Sequence, residues 1–161
     1  MTKDRPVVRL KPKTDPRRIR RGFPWVYANE LVADRRTKAI APGEIATLED
    51  AERRPLATVA VNPVSKIFCR VLDRDPEADI GSDWLRVRLR RAAELRRALY
   101  DAPFYRIVHA EADGLPGVIA DLFGDVAVIQ PNAAWAEHHF DDLVAAVREV
   151  TGAETVGKTA S

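Results

Sequence analysis

The first half of the chain consists of short apolar segments separated by turns that contain proline or glycine. Several of these segments alternate apolar with polar side chains, as strands with one buried face do. The segments are residues 7–10, 25–31, 44–48, 56–61 and 67–72. Short strands that recur about every ten residues predict a small β-barrel or sandwich over about residues 5–74.

The second half combines helical periodicity with further apolar strands. One predicted helix spans residues 84–100, and its apolar face consists of Leu85, Leu89, Ala92, Leu95 and Leu99. A second predicted helix spans residues 134–150, and its buried side consists of Leu143, Val147 and Val150. Strands are predicted at 104–110, 118–122 and 126–130, with another beginning at residue 155.

These patterns predict an α+β protein with two domains. Residues 1–74 form the small β-barrel, residues 75–83 are an acidic linker with proline and glycine, and residues 84–161 form a small α/β domain. Ser82 or Asp83 is the predicted N-cap of the first long helix. The last predicted strand has few residues after it, which indicates that this domain is truncated at its C-terminal end.

The basic side chains are concentrated in a leader, defined as residues 1–21. It carries nine lysines and arginines against two aspartates, a charge of +7, although the whole chain carries only +2. Such a segment is either a cationic surface for an anionic polymer or a poorly ordered arm that aids solubility. Disordered arms rarely continue into an aromatic cluster such as residues 23–27, which favours the first alternative.

Two local structures are predicted around the leader. Asp15 as N-cap and Pro16 at the first helical position begin a short helical turn, which Gly22 ends. Trp25 then follows the glycine turn and is expected to pack in the barrel core. A second basic group lies on the helix at 84–100, where it forms either a solvated face or a strip of phosphate contacts; its members are Arg86, Arg90, Arg91 and Arg97.

The sequence contains no complete active site. Its eight glycines form no loop of the kind that binds a dinucleotide, a nucleoside triphosphate or an adenosyl cofactor. The segment at 111–117, with Glu111 and Asp113, is interpreted as a structural turn rather than an acid–base pair. Cys69 is interpreted as a buried strand cysteine. We therefore predict no catalytic, cofactor-binding or metal-binding residue in this chain.

The apolar segments and the cysteine content restrict the cellular compartment in which the protein is expected. No apolar run is long enough to span a membrane, and the N-terminus has no apolar signal-peptide core. A single cysteine fits a reducing compartment. The three histidines include an adjacent pair whose rings diverge on a helix, so a metal site is not expected. A cytoplasmic location is predicted.

The order of motifs resembles the N-terminal part of the class I S-adenosyl-L-methionine (SAM)-dependent 23S rRNA cytosine-5 methyltransferases that begin with a PUA domain. The matching motifs are RRGFPWVYANEL, PGE at 42–44, VNPVSKIFCRVL, and EADGLPGVIADLFGD. The resemblance implies a PUA-like barrel, a central α/β domain and a Rossmann-like methyltransferase domain that is absent from this chain. The chain departs from the family at 53–59, where relatives often have glycines.

The resemblance assigns chemistry as well as fold. The glycine-rich SAM loop and the cysteine that attacks cytosine would lie beyond Ser161, and Cys69 does not match that cysteine. SAM is therefore the expected cofactor of the full-length parent, and no cofactor is expected to bind this chain. The predicted function is RNA binding and substrate positioning for the methyltransferase, with ribosomal RNA as the expected partner; a homodimer is left open.

A stand-alone PUA-type RNA-binding or adaptor protein is the alternative, and a glycine-rich strand–loop–helix encoded after Ser161 would separate the two. Both functions use the same predicted RNA-binding residues. They are Lys11, Lys13, Arg17, Arg18, Arg20, Arg21, Lys66 and Arg70.

Overall fold

A computed structural model describes residues 4–159, so Lys3 of the leader and the last two residues lie outside the described part. The chain divides into two compact units, one up to Ala78 and the other from Asp79. Within the described residues, the first unit contains a five-stranded sheet and the second a four-stranded sheet. The α+β fold class is confirmed.

The first unit is a curled sheet, close to half a barrel, with two short helices. Its elements are β1 (Val7–Arg9), α1 (Arg17–Arg20), β2 (Trp25–Tyr27), α2 (Arg35–Lys38), β3 (Ile45–Glu49), β4 (Pro55–Val61) and β5 (Ile67–Asp73). The strand order is β1-β3-β4-β5-β2, with β1 parallel to β3 and the other neighbours antiparallel. The leader therefore begins as an edge strand of the sheet.

The core of the first unit shows which side of β2 faces inward. Val26 is fully buried, and its register partner is Cys69, which is also fully buried. Successive side chains of a strand point to opposite faces, so Trp25 cannot share this core. Trp25 is half-buried and packs edge-on against Phe23, with ring centroids 6.4 Å apart. The expectation that Trp25 lies in the core was wrong.

The predicted strand at 25–31 ends at Tyr27. The Glu30 side chain accepts a hydrogen bond from the Tyr27 N–H at 2.8 Å, and this contact begins a 3-10 helix at Ala28–Glu30. A carboxylate three residues ahead can satisfy a free N–H at the start of a helix, which competes with strand pairing. The strand prediction counted the apolar residues and missed this local bond.

Two short helices also differ from prediction. In α1 the N-cap is Pro16 rather than Asp15, although the Asp15 carboxylate still accepts the Arg17 N–H at 2.9 Å. Helix α2 had not been predicted, because only Thr37 among its four residues is buried and no apolar periodicity marks it. Asp34 caps α2 by accepting the Thr37 N–H at 2.8 Å. Both helices depend on local polar bonds more than on amphipathic pattern.

The second unit packs helices against a sheet of order β6-β7-β8-β9. Its elements are α3 (Ser82–Leu99), β6 (Phe104–His109), a 3-10 helix (Ala110–Asp113), β7 (Val118–Phe123), β8 (Val126–Pro131), α4 (Ala134–His138), α5 (Phe140–Thr151) and β9 (Thr155–Lys158). Strands β6, β7 and β8 are antiparallel, and β9 pairs in parallel with β8. The predicted strand at 155 therefore finds its partner inside this unit.

Helix α3 starts earlier and faces differently than predicted. Its N-cap is Gly81, so neither Ser82 nor Asp83 caps it. Leu95 and Leu99 are 52% and 64% exposed, which contradicts their placement on the buried face. The inward stripe instead continues to Arg96, whose side chain is 15% exposed and pairs with a carboxylate. A paired arginine extends the buried face where periodicity alone favours leucine.

The predicted helix at 134–150 is two helices that separate at His139. Each has its own anchor: Trp135 of α4 is buried and donates its indole N–H to the Pro116 carbonyl at 2.8 Å, whereas α5 packs on α3. The predicted inward residues of α5, Leu143, Val147 and Val150, are buried. The break lies at His139, whose backbone leaves the helical region with φ −103° and ψ 21°.

Candidate nucleic-acid interface

The described part of the leader folds onto the first sheet. Val8, Leu10 and Ile19 are at most 1% exposed and belong to one apolar core, so their burial holds the leader in place between the exposed cations. Burial of such side chains stabilises by about 1.5–3 kcal/mol each. A poorly ordered solubility arm is thereby excluded for residues 4–21.

Arg5 is a structural member of the leader rather than a free cation. Its guanidinium donates to the hydroxyls of Thr47 and Thr58 at 2.9 Å each, and to the carbonyls of Pro76 and Ala78. The Thr58 hydroxyl donates in turn to the Asp75 carbonyl at 2.8 Å. These bonds fasten the segment at 75–78, half of the predicted linker, to the first unit. Four acceptors leave this guanidinium little capacity for a ligand.

Glu30 organises the corner where α1, β2 and the leader meet. Its side chain pairs with Arg18 and accepts the Tyr27 N–H, while its carbonyl accepts the Lys11 N–H at 2.8 Å. The Lys11 ammonium donates to the Asn29 carbonyl, also at 2.8 Å. Lys11 and Arg18, seven positions apart in sequence, therefore lie against the same four-residue segment at 27–30.

A cleft of about 440 Å³ opens beside this corner. It is lined by Tyr27, by the three residues after it, and by Lys66 at the end of the turn before β5. The Lys66 carbonyl accepts the Ala28 N–H at 3.0 Å, which holds the two segments together, while its side chain is exposed. An aromatic residue beside an exposed ammonium offers both a stacking surface and a phosphate contact.

The remaining predicted cations differ in how fully they are paired. Arg17 is exposed and lies 3.8 Å from Asp15, and Arg20 lies 3.8 Å from the buried carboxylate of Asp50. Arg70 of β5 is half-buried beside Trp25 in the register.

The side chains of Lys13, Arg21 and Lys66 are exposed and make no ion pair within the part of the chain that the structure describes. Arg18 is the most constrained of the set, since it pairs with Glu30 and stacks over the Phe23 ring at 4.7 Å. The net charge of the leader thus overstates the number of cations available to a ligand.

Asp50 is the buried charged residue that the sequence analysis missed. Its carboxylate is 1% exposed and accepts the N–H groups of Glu52 and Arg54 and the Arg54 guanidinium N–H, at 3.0, 2.9 and 2.7 Å. Burial opposes ionisation, but the bonds from Arg54 outweigh it and lower the pKa of Asp50. An aspartate followed four residues later by an arginine in a turn was the available signal.

The turn held by Asp50 contains an unusual backbone. Arg53 adopts φ +65°, in the left-handed region that favours glycine. This is the segment where the chain departs from the glycine-containing pattern of the family it resembles. The Asp50 carboxylate and carbonyl bond the backbone around Arg53 and hold this conformation without a glycine.

Two of the four arginines singled out on α3 form ion pairs within the second unit. Arg86 donates to Glu149 and to Asp83, both at 2.7 Å, and Arg90 lies 3.4 Å from Glu149. The bond to Glu149 raises the pKa of Arg86. These contacts join α3 to α5, whereas Arg91 and Arg97 are exposed. Arg86 and Arg90 therefore join α3 to α5, a structural role that neither sequence alternative included.

The acidic motif at 111–117 is a structural turn, as interpreted from sequence. Asp113 is 7% exposed and binds the Arg96 guanidinium through both oxygens, at 2.7 and 2.8 Å, and it accepts the His109 N–H. Gly114 and Gly117 both have positive φ. Three of the roughly four acceptor positions of this carboxylate are thus used by bonds within the second unit, which gives Asp113 a structural role in the turn.

Cys69 is fully buried in β5, and burial raises the pKa of its thiol, so it is an inert core residue. Residues 4–159 contain no cluster of three or more metal-binding side chains. In the same residues no helix is both long and apolar enough to cross a membrane.

Comparison with known families identifies the first unit. Residues 8–74 match the PUA-like domain. The match begins in β1 and ends after β5, so this PUA-like domain includes every strand of the curled sheet. The expectation of a PUA-like barrel at the N-terminal end of the chain is confirmed.

Homologues with curated names are ribosomal RNA large subunit methyltransferases. The chain is 37% identical over 131 residues to ribosomal RNA large subunit methyltransferase I of Cronobacter sakazakii, covering 80% of the chain and 33% of the relative. It is 34% identical over 144 residues to the protein of that name from Alteromonas mediterranea, covering 88% and 36%. The chain thus spans about a third of the length of the relatives it matches.

Solved structures agree at the level of fold. A Streptococcus mutans protein assigned as a SAM-dependent methyltransferase superposes with a TM-score of 0.77 at 14% identity, covering 92% of this chain and 38% of that one. A second assigned methyltransferase, solved in complex with SAH, gives a TM-score of 0.74, also at 14% identity, covering 95% and 40%. The combination of a PUA-like sheet and an α/β unit therefore occurs in proteins more than twice as long.

Proposed function

We propose that this chain binds RNA through its PUA-like domain and positions the RNA for methyl transfer to ribosomal cytosine C5. The observation that carries the proposal is the folded leader, which holds the exposed Lys11 against the segment that lines the cleft at 27–30 and keeps its other cations, Lys13, Arg17 and Arg21, exposed on the same unit. The names of the homologues support ribosomal RNA as the substrate class. SAM would be the methyl donor for this transfer.

The proposed contact set keeps the predicted residues and divides them by role. Lys13, Arg17, Arg21 and Lys66 are exposed and would meet phosphates directly. The other four would shape the surface: Lys11 and Arg18 brace the segment at 27–30, Arg20 approaches Asp50, and Arg70 lies beside Trp25. A cytoplasmic location follows from the proposed ribosomal substrate.

The test is a salt titration of RNA binding. In the variant of the direct set, Lys13, Arg17, Arg21 and Lys66 are all replaced by glutamine. Each phosphate contact contributes about 0.7–0.9 to the log–log salt slope, so this variant should flatten the slope by about 3. The matched control replaces four other exposed cations, Arg35, Lys38, Arg91 and Arg97.

The probe is one ribosomal RNA hairpin titrated by fluorescence anisotropy at several salt concentrations. The control should lose less than half as much slope as the direct-set variant. Equal losses would contradict the placement of the interface at the leader, and the absence of salt-dependent binding by the unmodified chain would contradict the function.

A further inference from the structure

A second cleft of the first unit has the features of an anion site and lies outside the predicted interface. It encloses about 520 Å³ beside β1 and α2. Three arginines line it, each from a different segment: Arg9 from β1, Arg36 from α2 and Arg53 from the turn before β4. Nothing in the sequence brings these residues together, because they are 27 and 17 positions apart.

The charges of this cleft favour an anion. Asp34 also lines it, but its carboxylate already accepts the Thr37 N–H, and Glu49 pairs with Arg9 at 3.2 Å. Within residues 4–159, Arg36 and Arg53 have no carboxylate at ion-pairing distance. Three guanidinium groups and the single carboxylate of Asp34 line the cleft, so its lining keeps a net positive charge although Asp34 interacts with Arg36.

Arg9 supplies a second, independent observation. Its Nε is buried and finds no hydrogen-bond partner among the described residues, although one terminal nitrogen of the same guanidinium bonds Glu49. Buried donors are nearly always satisfied in native proteins, so this orphaned N–H leaves uncompensated positive potential in the wall of the cleft. A phosphate oxygen is the acceptor that suits a guanidinium best.

The backbone of Arg53 supplies a third observation. Its φ of +65° is costly for a residue with a side chain, and backbone strain of this kind clusters at functional sites. Glycine would adopt this conformation without strain. The Asp50 bonds keep Arg53 in this conformation, so its guanidinium enters the cleft from a rigid turn.

Apolar side chains complete the cleft. Val7 and Val32 line it and are 46% and 38% exposed, and Pro6 and the buried Ile40 lie beside them. An apolar wall next to guanidinium groups matches a nucleotide unit, whose base is flat and apolar on its faces and whose phosphate is anionic. A bare inorganic anion would leave the two valines exposed.

We propose that the Arg9–Arg36–Arg53 cleft binds a phosphate group of RNA, with the adjoining base over Val7 and Val32. This is a second contact for the RNA and rests on the proposed function. It extends the interface from the leader corner to the side of the first unit formed by β1 and α2.

The experiment compares two variants that each lose two charges. The cleft variant is Arg36→Gln with Arg53→Gly, because glycine removes the charge and relieves the positive φ, which keeps the turn folded. The control variant is Arg35→Gln with Lys38→Gln, two exposed cations of the same helix α2 that do not line the cleft. Thermal melting of both variants checks that the fold is retained.

The main readout is the salt slope of binding to the ribosomal hairpin. The cleft variant loses one phosphate contact and should flatten the slope by about 0.7–0.9, and the control by less than half of that. The double variant Arg36→Gln with Arg53→Lys keeps one of the two charges and should recover about half of the loss. Equal slopes for the cleft and control variants would overturn the proposal.

A second arm separates RNA phosphate from free phosphate. Inorganic phosphate is titrated into the unmodified chain while the backbone amide signals of Arg36 and Arg53 are followed by NMR. Saturation at submillimolar phosphate, with RNA binding unaffected by the cleft variant, would assign the cleft to a small anion and overturn the RNA proposal. If the unmodified chain fails to bind RNA, the proposed function itself fails. If it binds RNA but the cleft and control variants give equal slopes, only this inference is refuted.

Discussion

The carboxylate of Asp50 should contribute a large share of the stability of the first unit. It is 1% exposed and accepts three hydrogen bonds at 2.7–3.0 Å, two from backbone N–H groups and one from Arg54. Hydrogen bonds to a charged group contribute about 1.5–3 kcal/mol each, but the three share one turn and do not add fully. We expect Asp50→Ala to lower the free energy of unfolding by about 2–4 kcal/mol.

The pH dependence of this effect has a defined sign. Because the folded-state pKa of Asp50 is lowered, its contribution is fully present above the ordinary pKa of 3.8 and is lost as the pH falls through the lowered value. The Asp50→Asn variant keeps the shape but cannot ionise. The stability gap between the unmodified chain and Asp50→Asn should be constant from about pH 7 to 5 and narrow below about pH 4.

Urea denaturation monitored by tryptophan fluorescence measures both quantities. Glu52→Ala is the matched control, since its carboxylate is 65% exposed and contacts the same Arg54 at 3.1 Å. An exposed pair of this kind contributes about 0–1 kcal/mol. A loss for Asp50→Ala no larger than that of the control, or a gap that stays constant down to pH 2.5, would refute the reasoning.

Three further substitutions test packing, one in the second unit and two in the first. Gly117→Ala should destabilise by about 2–4 kcal/mol in thermal melts, because the added Cβ would lie 2.6 Å from the Ala133 Cβ at a residue with φ +75°; a melting temperature equal to that of the unmodified chain would contradict this. Val26→Ala should lower the free energy of unfolding in urea more per atom removed than Trp25→Ala, because Val26 is fully buried and Trp25 is half-buried. A larger loss per atom at Trp25 would contradict this order and would indicate that Trp25 packs in the core.

Prediction succeeded where a local pattern decides the structure. The alternation at 7–10, 44–48 and 67–72 identified strands that the sheet contains, and the inward residues of α5 followed from helical spacing. It failed where a single polar bond outweighs the pattern, as when Glu30 ends β2 at Tyr27. The prediction also failed at Leu95, which is exposed. Asp113, seventeen positions further along the chain, pairs with Arg96, so the side of α3 that carries Arg96 faces inward.

The candidate site shows the same division. The sequence by itself determined that cations are concentrated in the leader and that an aromatic cluster follows them, since composition and order along the chain are enough to show both. Only the tertiary structure decided which of those cations are neutralised, because their partners are distant in sequence. Arg18 pairs with Glu30 and Arg9 with Glu49, twelve and forty positions away.

The physical reason is that the energy of a charge depends on its neighbours in space. Two charges at 4 Å interact several-fold more strongly near a protein surface than in bulk water, and beyond about 10 Å salt screens them. A sequence gives the order of the charges without these distances. Folding of the chain brought Arg9, Arg36 and Arg53 to one cleft. It also paired Glu49 with Arg9 and bonded the Asp34 carboxylate to the Thr37 N–H.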